Sequence, residues 1–83
     1  MRRVDYIVWG KEACPQCDTL KNMMDKKEIN YNYFDVTDER HSEKLLEIKT
    51  LGFRGVPVLE YTESGVMIGF QIAFGKVMKG EIK

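Results

Sequence analysis

Apolar positions along this chain change their spacing several times, and each change marks an element. Val4 to Gly10 is an apolar run with Asp5 as its one charged residue, which predicts a buried first strand. Gly10 to Ala13 reads as a short loop. From Pro15 to about Lys27 the spacing turns helical, with Cys17, Leu20 and Met24 at i, i+3 and i+7 on one face. Pro15 suits a first helical position, where its missing N–H costs nothing, and Lys26 and Lys27 suit the negative end of the helix dipole. Asn32 to Val36 predicts a second strand. Thr37 or Asp38 can cap a second helix with Glu39 in its first turn. That helix carries Leu45, Leu46 and Ile48 and stops near Gly52, a natural left-handed cap followed by apolar Phe53. Pro57 opens a third strand, Val58 to Tyr61. Thr62-Glu63-Ser64-Gly65 is a hairpin turn, and Val66 to Ile68 a fourth strand. A last short helix, weakened by Gly75 and Gly80, would place Phe74, Val77 and Met78 on one side.

The order β-α-β-α-β-β-α predicts an α/β fold. Its first half is a parallel βαβ unit, expected to cross over right-handedly, and its second half ends in an antiparallel hairpin. A four-stranded mixed sheet with helices on both faces follows. Eighty-three residues fit a single domain, 1–83, with no repeat or linker. Lys plus Arg and Asp plus Glu each total 13, so the formal charge is zero, and no basic excess points to nucleic acid. After Arg2-Arg3 the apolar run Tyr6 to Trp9 is too short for a signal peptide, and nothing approaches a membrane span. Two cysteines are too few for a secreted disulfide scaffold, so the expected compartment is a reducing cytoplasm. There, a close cysteine pair is more often catalytic or metal-binding than structural.

That pair is Cys14-Pro15-Gln16-Cys17. Cys14 falls where the chain leaves the first strand and enters the helix, and the free N–H groups and dipole at that point stabilise a thiolate. Lys11, three residues earlier, adds a positive charge, and Glu12 is expected to face solvent. Cys17 lies one turn on, along the apolar face, and is expected to be more buried. The roles then separate: Cys14 attacks a disulfide and Cys17 resolves the mixed disulfide. Three duller readings compete. A closed zinc site needs four ligands, and beyond the cysteines the chain offers only His41, in another element. A static disulfide would close a tiny loop and gain little. Ordinary apolar burial suits Cys17 alone, but not Cys14 beside a proline in a loop. Elsewhere, Trp9 is assigned to core packing and His41 to the surface of the second helix. Phe70 divides evenly between a docking surface and packing, whereas Arg54, near Pro57, is able to attract a ligand carboxylate, the duller reading being a solvated loop charge.

Val56-Pro57 stands directly before the third strand, where a proline belongs. Bond statistics alone favour a trans peptide there, since only about 5–6% of X-Pro bonds are cis. A cis bond would instead turn the Val56 backbone outward as an edge opposite Cys14. Taken together, Lys11 to Cys17, the element order and Val56-Pro57 resemble a dithiol glutaredoxin over nearly the whole chain. The resemblance implies a cis Pro57 and the minimal thioredoxin fold with strand order 2-1-3-4. It also implies a disulfide oxidoreductase that reduces protein disulfides. By the same resemblance glutathione is the co-substrate, there is no tightly bound cofactor or metal, and the protein is a monomer. Gln16 stands where that family usually has tyrosine, Gly55 where it has threonine, and Ile68-Gly69-Phe70-Gln71 keeps one glycine of a Gly-Gly pair. Ile72 and Ala73 occupy its Ser/Asp positions. Gln16 and Gly69-Phe70 instead resemble NrdH-type redoxins, which are reduced by thioredoxin reductase and act on ribonucleotide reductase, although Pro15 departs from their usual valine. The implied binding residues are Lys11, Pro15, Gln16, Arg54, Val56, Pro57, Gly69, Phe70 and Gln71. A reading of another class is a module holding an iron–sulfur cluster between the Cys14 residues of a dimer; Pro15 weighs against it.

Overall fold

In the computed structural model, which describes residues 4–83, the elements follow the predicted order. β1 is Tyr6–Gly10, α1 Pro15–Lys26, β2 Asn32–Asp35, α2 Ser42–Thr50, β3 Val58–Tyr61, β4 Met67–Gly69 and α3 Phe70–Met78. A 3-10 turn, Glu39–His41, precedes α2. The sheet runs β2-β1-β3-β4. Val8 of β1 pairs in parallel with Tyr33 and antiparallel with Leu59, and Leu59 pairs antiparallel with Ile68.

Alternation along the strands divides the core in two. Val8 and Leu59 point to the face covered by α1 and α3, where they meet Leu20, Met24, Ala73 and Val77. Their neighbours Trp9 and Val58 point to the other face and pack with Val36 and Ile48 of α2. Helices therefore lie on both faces, and the chain emerges from the middle strand, β1, at the start of α1. All three helices end in the same way. Glu28, Gly52 and Gly80 have positive φ, and the following residues Ile29, Phe53 and Glu81 donate back to Met24, Ile48 and Lys76. This is the Schellman closure expected at Gly52, and it turns Ile29 into the core.

Several expectations need correcting. β1 starts at Tyr6 rather than Val4, β2 ends at Asp35, and β4 lies one residue later than Val66 to Ile68. Asp38 caps the 3-10 turn rather than a helix, its side chain accepting from the Arg40 N–H. His41 is in that turn and half-buried, its ring 5.1 Å from that of Trp9 and 5.3 Å from that of Phe34. α3 forms despite Gly75 and begins at Phe70, and Met78 is 59% exposed while Ala73 takes the buried place. Arg2-Arg3 lies outside the described residues.

Candidate active site

Cys14 is the N-cap of α1, with extended backbone, and Pro15 is the first helical residue. Because an N-cap side chain faces the free N–H groups of the first turn, its sulfur can accept one of them. The Cys17 N–H does donate to Cys14 Sγ, at 3.1 Å. Cys14 and Cys17 are joined by a disulfide, with Cα atoms 5.2 Å apart. Cys17 is fully buried, one turn along the face that also carries Leu20 and Met24. Cys14 is 6% exposed, less open than a loop position suggests, because the chain before β3 lies across it. Val56 O is 3.9 Å from Cys14 Sγ, and the Val56-Pro57 peptide is cis.

An open groove runs beside this contact. Val56 and Pro57 form one part of its lining and Gly69, Phe70 and Gln71 another, with Gln16 and Arg54 completing the group. The structure thus brings together seven residues implied by the resemblance. Phe53 and Ile72 line the same groove and make it more apolar than those seven residues suggest. Phe53 gets there through the Gly52 closure. Ile72 gets there because α3 begins at Phe70, so that Phe70, Gln71 and Ile72 form its first turn. Phe70 lines the groove, while its ring sits 5.6 Å from that of Phe74 and packs on the α1/α3 core. Ala73 is fully buried and does not line the groove.

Lys11 is elsewhere. It is exposed and lines a separate depression with Ala13, Asp18, Lys21, Tyr33 and Asp35. Glu12 is exposed, as expected. In that depression burial, then Asp35 and Asp18, push the Tyr33 hydroxyl pKa up, so it stays protonated and donates to the Lys11 carbonyl at 3.3 Å. Trp9 is core, as assigned, and its indole N–H donates to Glu60 Oε1 at 2.9 Å. Among the described residues no group of three or more His, Cys, Asp and Glu side chains is placed to hold a metal. No helix among them is long and apolar enough to cross a membrane.

A family model described as glutaredoxin matches residues 6–66. The chain belongs to the glutaredoxin family. The matched span contains the cysteine pair and Val56-Pro57 and stops before β4, so the Gly69 to Ile72 wall of the groove lies outside it. The chain is also 33% identical over 57 residues to an N-acetyl-S-hydroxy-L-cysteine reductase of Bacillus subtilis (strain 168), over 69% of this chain and 60% of that protein. It therefore spans 60% of that curated relative's length, under two thirds. The glutaredoxin-family chain thus carries, at the start of its first helix, a cysteine pair able to form a disulfide.

Proposed function

We propose that the protein reduces protein disulfides by a Cys14/Cys17 dithiol–disulfide cycle and is itself reduced by glutathione. The observation carrying this reading is the inequality of the two sulfurs. Cys14 Sγ sits at the helix start beside Val56 O and the groove, whereas Cys17 is fully buried behind it. The Cys14 thiolate attacks one sulfur of the substrate disulfide, forming a mixed disulfide and expelling the other sulfur as a thiolate. Cys17 loses its proton and attacks Cys14 Sγ, closing the internal disulfide and releasing the second substrate thiolate. Two glutathione thiols then restore the dithiol and leave as oxidised glutathione. The helix start and the Cys17 N–H stabilise the attacking thiolate. The Val56 backbone and Pro57 hold the substrate strand across from Cys14, with Gly69, Phe70 and Gln71 on the other side and Gln16 and Arg54 near its charged or polar ends.

The experiment compares Cys14→Ser with Cys17→Ser. Cys17→Ser should trap a mixed disulfide and Cys14→Ser should abolish reductase activity. Activity retained by Cys14→Ser overturns the roles, and a brown, iron-containing dimer on purification overturns the redox cycle in favour of a cluster carrier. Gln16 and Gly69-Phe70 favour a second donor, thioredoxin reductase, with ribonucleotide reductase as the disulfide substrate. Comparing reduction of the oxidised protein by glutathione with reduction by thioredoxin reductase and NADPH decides between the donors. The relative's name favours a second substrate class. Attack of the Cys14 thiolate on the sulfur of an S-hydroxycysteine expels hydroxide instead of a thiolate, and Cys17 resolves as before. Assaying water-forming reduction of an S-hydroxy thiol beside that of a peptide disulfide tests this. We place the cycle in a reducing cytoplasm and expect the protein to act as a monomer.

A further inference from the structure

Three residues carry the chain from the end of β1 to Cys14, and one of them, Ala13, has φ 54°. A left-handed backbone is unfavourable for a residue with a Cβ and persists where its surroundings fix it. Tyr33 is the side chain in position to do so. It projects from β2 on the parallel partner position to Val8. Its ring covers Gly10 so closely that a Cβ there would lie 2.7 Å from Tyr33 Cζ. Its hydroxyl donates to the Lys11 carbonyl inside the loop. The Lys21 ammonium, from α1, lies 4.0 Å from the ring centroid. One side chain therefore touches the end of β1, the loop and the helix that Cys14 caps.

We propose that Tyr33 is a positioning residue for Cys14, a strut that holds the Lys11–Ala13 loop so that Cys14 Sγ stays within hydrogen-bond reach of the Cys17 N–H. Tyr33 touches neither sulfur, and it acts through the loop and α1. A bond as short as 3.1 Å to a sulfur depends on where the N-cap residue enters the helix, and the loop sets that entry. The charged groups around the strut are Lys11 and Glu12 from the loop, Asp18 and Lys21 from α1, and Asp35 at the end of β2. All of them remain in a Tyr33 variant, so a change in Cys14 reports geometry rather than an altered charge set. The proposal rests on Cys14 being the attacking thiol.

The test is the pH profile of iodoacetamide alkylation of the fully reduced protein, with the modified cysteine identified by mass spectrometry. Tyr33→Ala should slow Cys14 alkylation at neutral pH at least threefold and move the midpoint of its profile upward. Tyr33→Phe, which keeps the ring and loses the hydroxyl, should fall between it and wild type. Gly10→Ala, which displaces the ring, should move the profile in the same direction and gives a reading if Tyr33→Ala does not fold. Ile48→Val is the control for stability alone, because Ile48 is buried in the α2 core on the opposite face of the sheet from α1. Tyr33 and Gly10 variants with lowered melting temperatures but the wild-type alkylation profile overturn the proposal. Alkylation of wild type first at Cys17 overturns the assignment of Cys14 beneath it, a result distinguishable from the other by the site modified.

Discussion

Replacing Glu60 probes how the strand that delivers the active-site loop is held. Trp9, one residue before the end of β1, is 5% exposed, so its indole N–H must find a partner inside the protein. Glu60 supplies it at 2.9 Å and also meets Lys44 Nζ at 3.0 Å, while Lys44 keeps Glu47 at 2.9 Å. The Glu60 side chain is 14% exposed, so these bonds are screened by water only in part. Lys44 shows the balance: burial lowers its pKa, and the bonds to Glu47 and Glu60 more than offset that, for a net rise. Glu60→Ala removes a hydrogen bond to a charged acceptor and leaves the indole N–H buried and unpaired, a loss of about 2–3 kcal/mol. Glu60→Gln keeps an amide oxygen for the indole and gives up only the ion pair. Lys44 is partly solvated and retains Glu47, so that loss is about 0.5–1 kcal/mol.

For a domain of this size about 1 kcal/mol corresponds to roughly 4–8 °C, so Glu60→Ala should melt roughly 10–20 °C below wild type and Glu60→Gln less than about 8 °C below. Urea unfolding of the oxidised protein, followed by circular dichroism and by Trp9, the only tryptophan, gives both free energies. Trp9→Phe should then cost less in a Glu60→Ala background than in wild type, because there the indole N–H has already lost its acceptor. Equal losses for Glu60→Ala and Glu60→Gln would refute the reasoning, since the ion pair and not the indole bond would then carry the effect. Losses below about 0.5 kcal/mol for both would show that packing alone holds Trp9.

Other outcomes follow from single contacts. Leu20→Ala, at a fully buried site between α1 and the sheet, should cost about 2–5 kcal/mol, whereas Leu46→Ala, at a side chain 66% exposed, should change stability by under about 0.5 kcal/mol in urea titrations. Gly52→Ala should cost about 1 kcal/mol, because φ is +94° there although open space surrounds the site, and an unchanged urea midpoint would count against the left-handed closure. The Asp38 carboxyl is pulled down to about 2 by hydrogen bonds from the Arg40 side chain and then its backbone N–H. A folded-state pKa below the unfolded one contributes stability that is complete above pH of about 4 and lost as pH falls through about 2. Asp38→Asn should therefore flatten the acid limb of the stability profile in that window, and an NMR titration midpoint near 4 would contradict the contacts.

The parts of the fold legible from sequence are those where local chemistry and tertiary packing agree. Pro15, Cys17, Leu20 and Met24 mark α1 twice over, by its start and by its face, and Pro57 marks the entry to β3, whose bounds match those read from the sequence. The beginning of α3 has no such mark. Gly69 caps it with no side-chain hydrogen bond, and apolar residues at 70, 72, 73, 74, 77 and 78 leave the buried face to be chosen by contact with α1. Hence Met78 looked inward and is out, while Ala73 is in. Glu60 and Lys44 read as ordinary polar positions because their pairing joins β3 to α2 across the sheet face, a contact with no sequence signature. The candidate groove was legible around Val56-Pro57 and Gly69-Phe70, but Ile72 depended on where α3 begins. Lys11 lines a depression apart from the groove, because spacing along a tight loop gives distance and not direction. The signal that could have found Tyr33 is the glycine it covers, Gly10, at the end of a strand.

The position of the two cysteines within the helix bears on how the Cys17→Ser trap is to be interpreted. In the proposed cycle residue 17 contributes twice to the site, through a side-chain sulfur that resolves and through the backbone N–H that donates to Cys14 Sγ. Serine removes the first and keeps the second. It is also small enough for a fully buried site, and its hydroxyl can donate to a carbonyl of the preceding turn, as Thr19 does to Pro15 O at 2.9 Å. The attacking thiolate should therefore be stabilised in the trap variant nearly as in wild type, and the mixed disulfide should form at a rate within a few-fold of the wild-type attack rate. If it forms much more slowly, the Cys17 sulfur itself activates Cys14, and the backbone donor and helix start are not the main source of the thiolate's stability. Separating attack from resolution in this way depends on the N-cap geometry, in which the group that steadies the nucleophile belongs to the main chain.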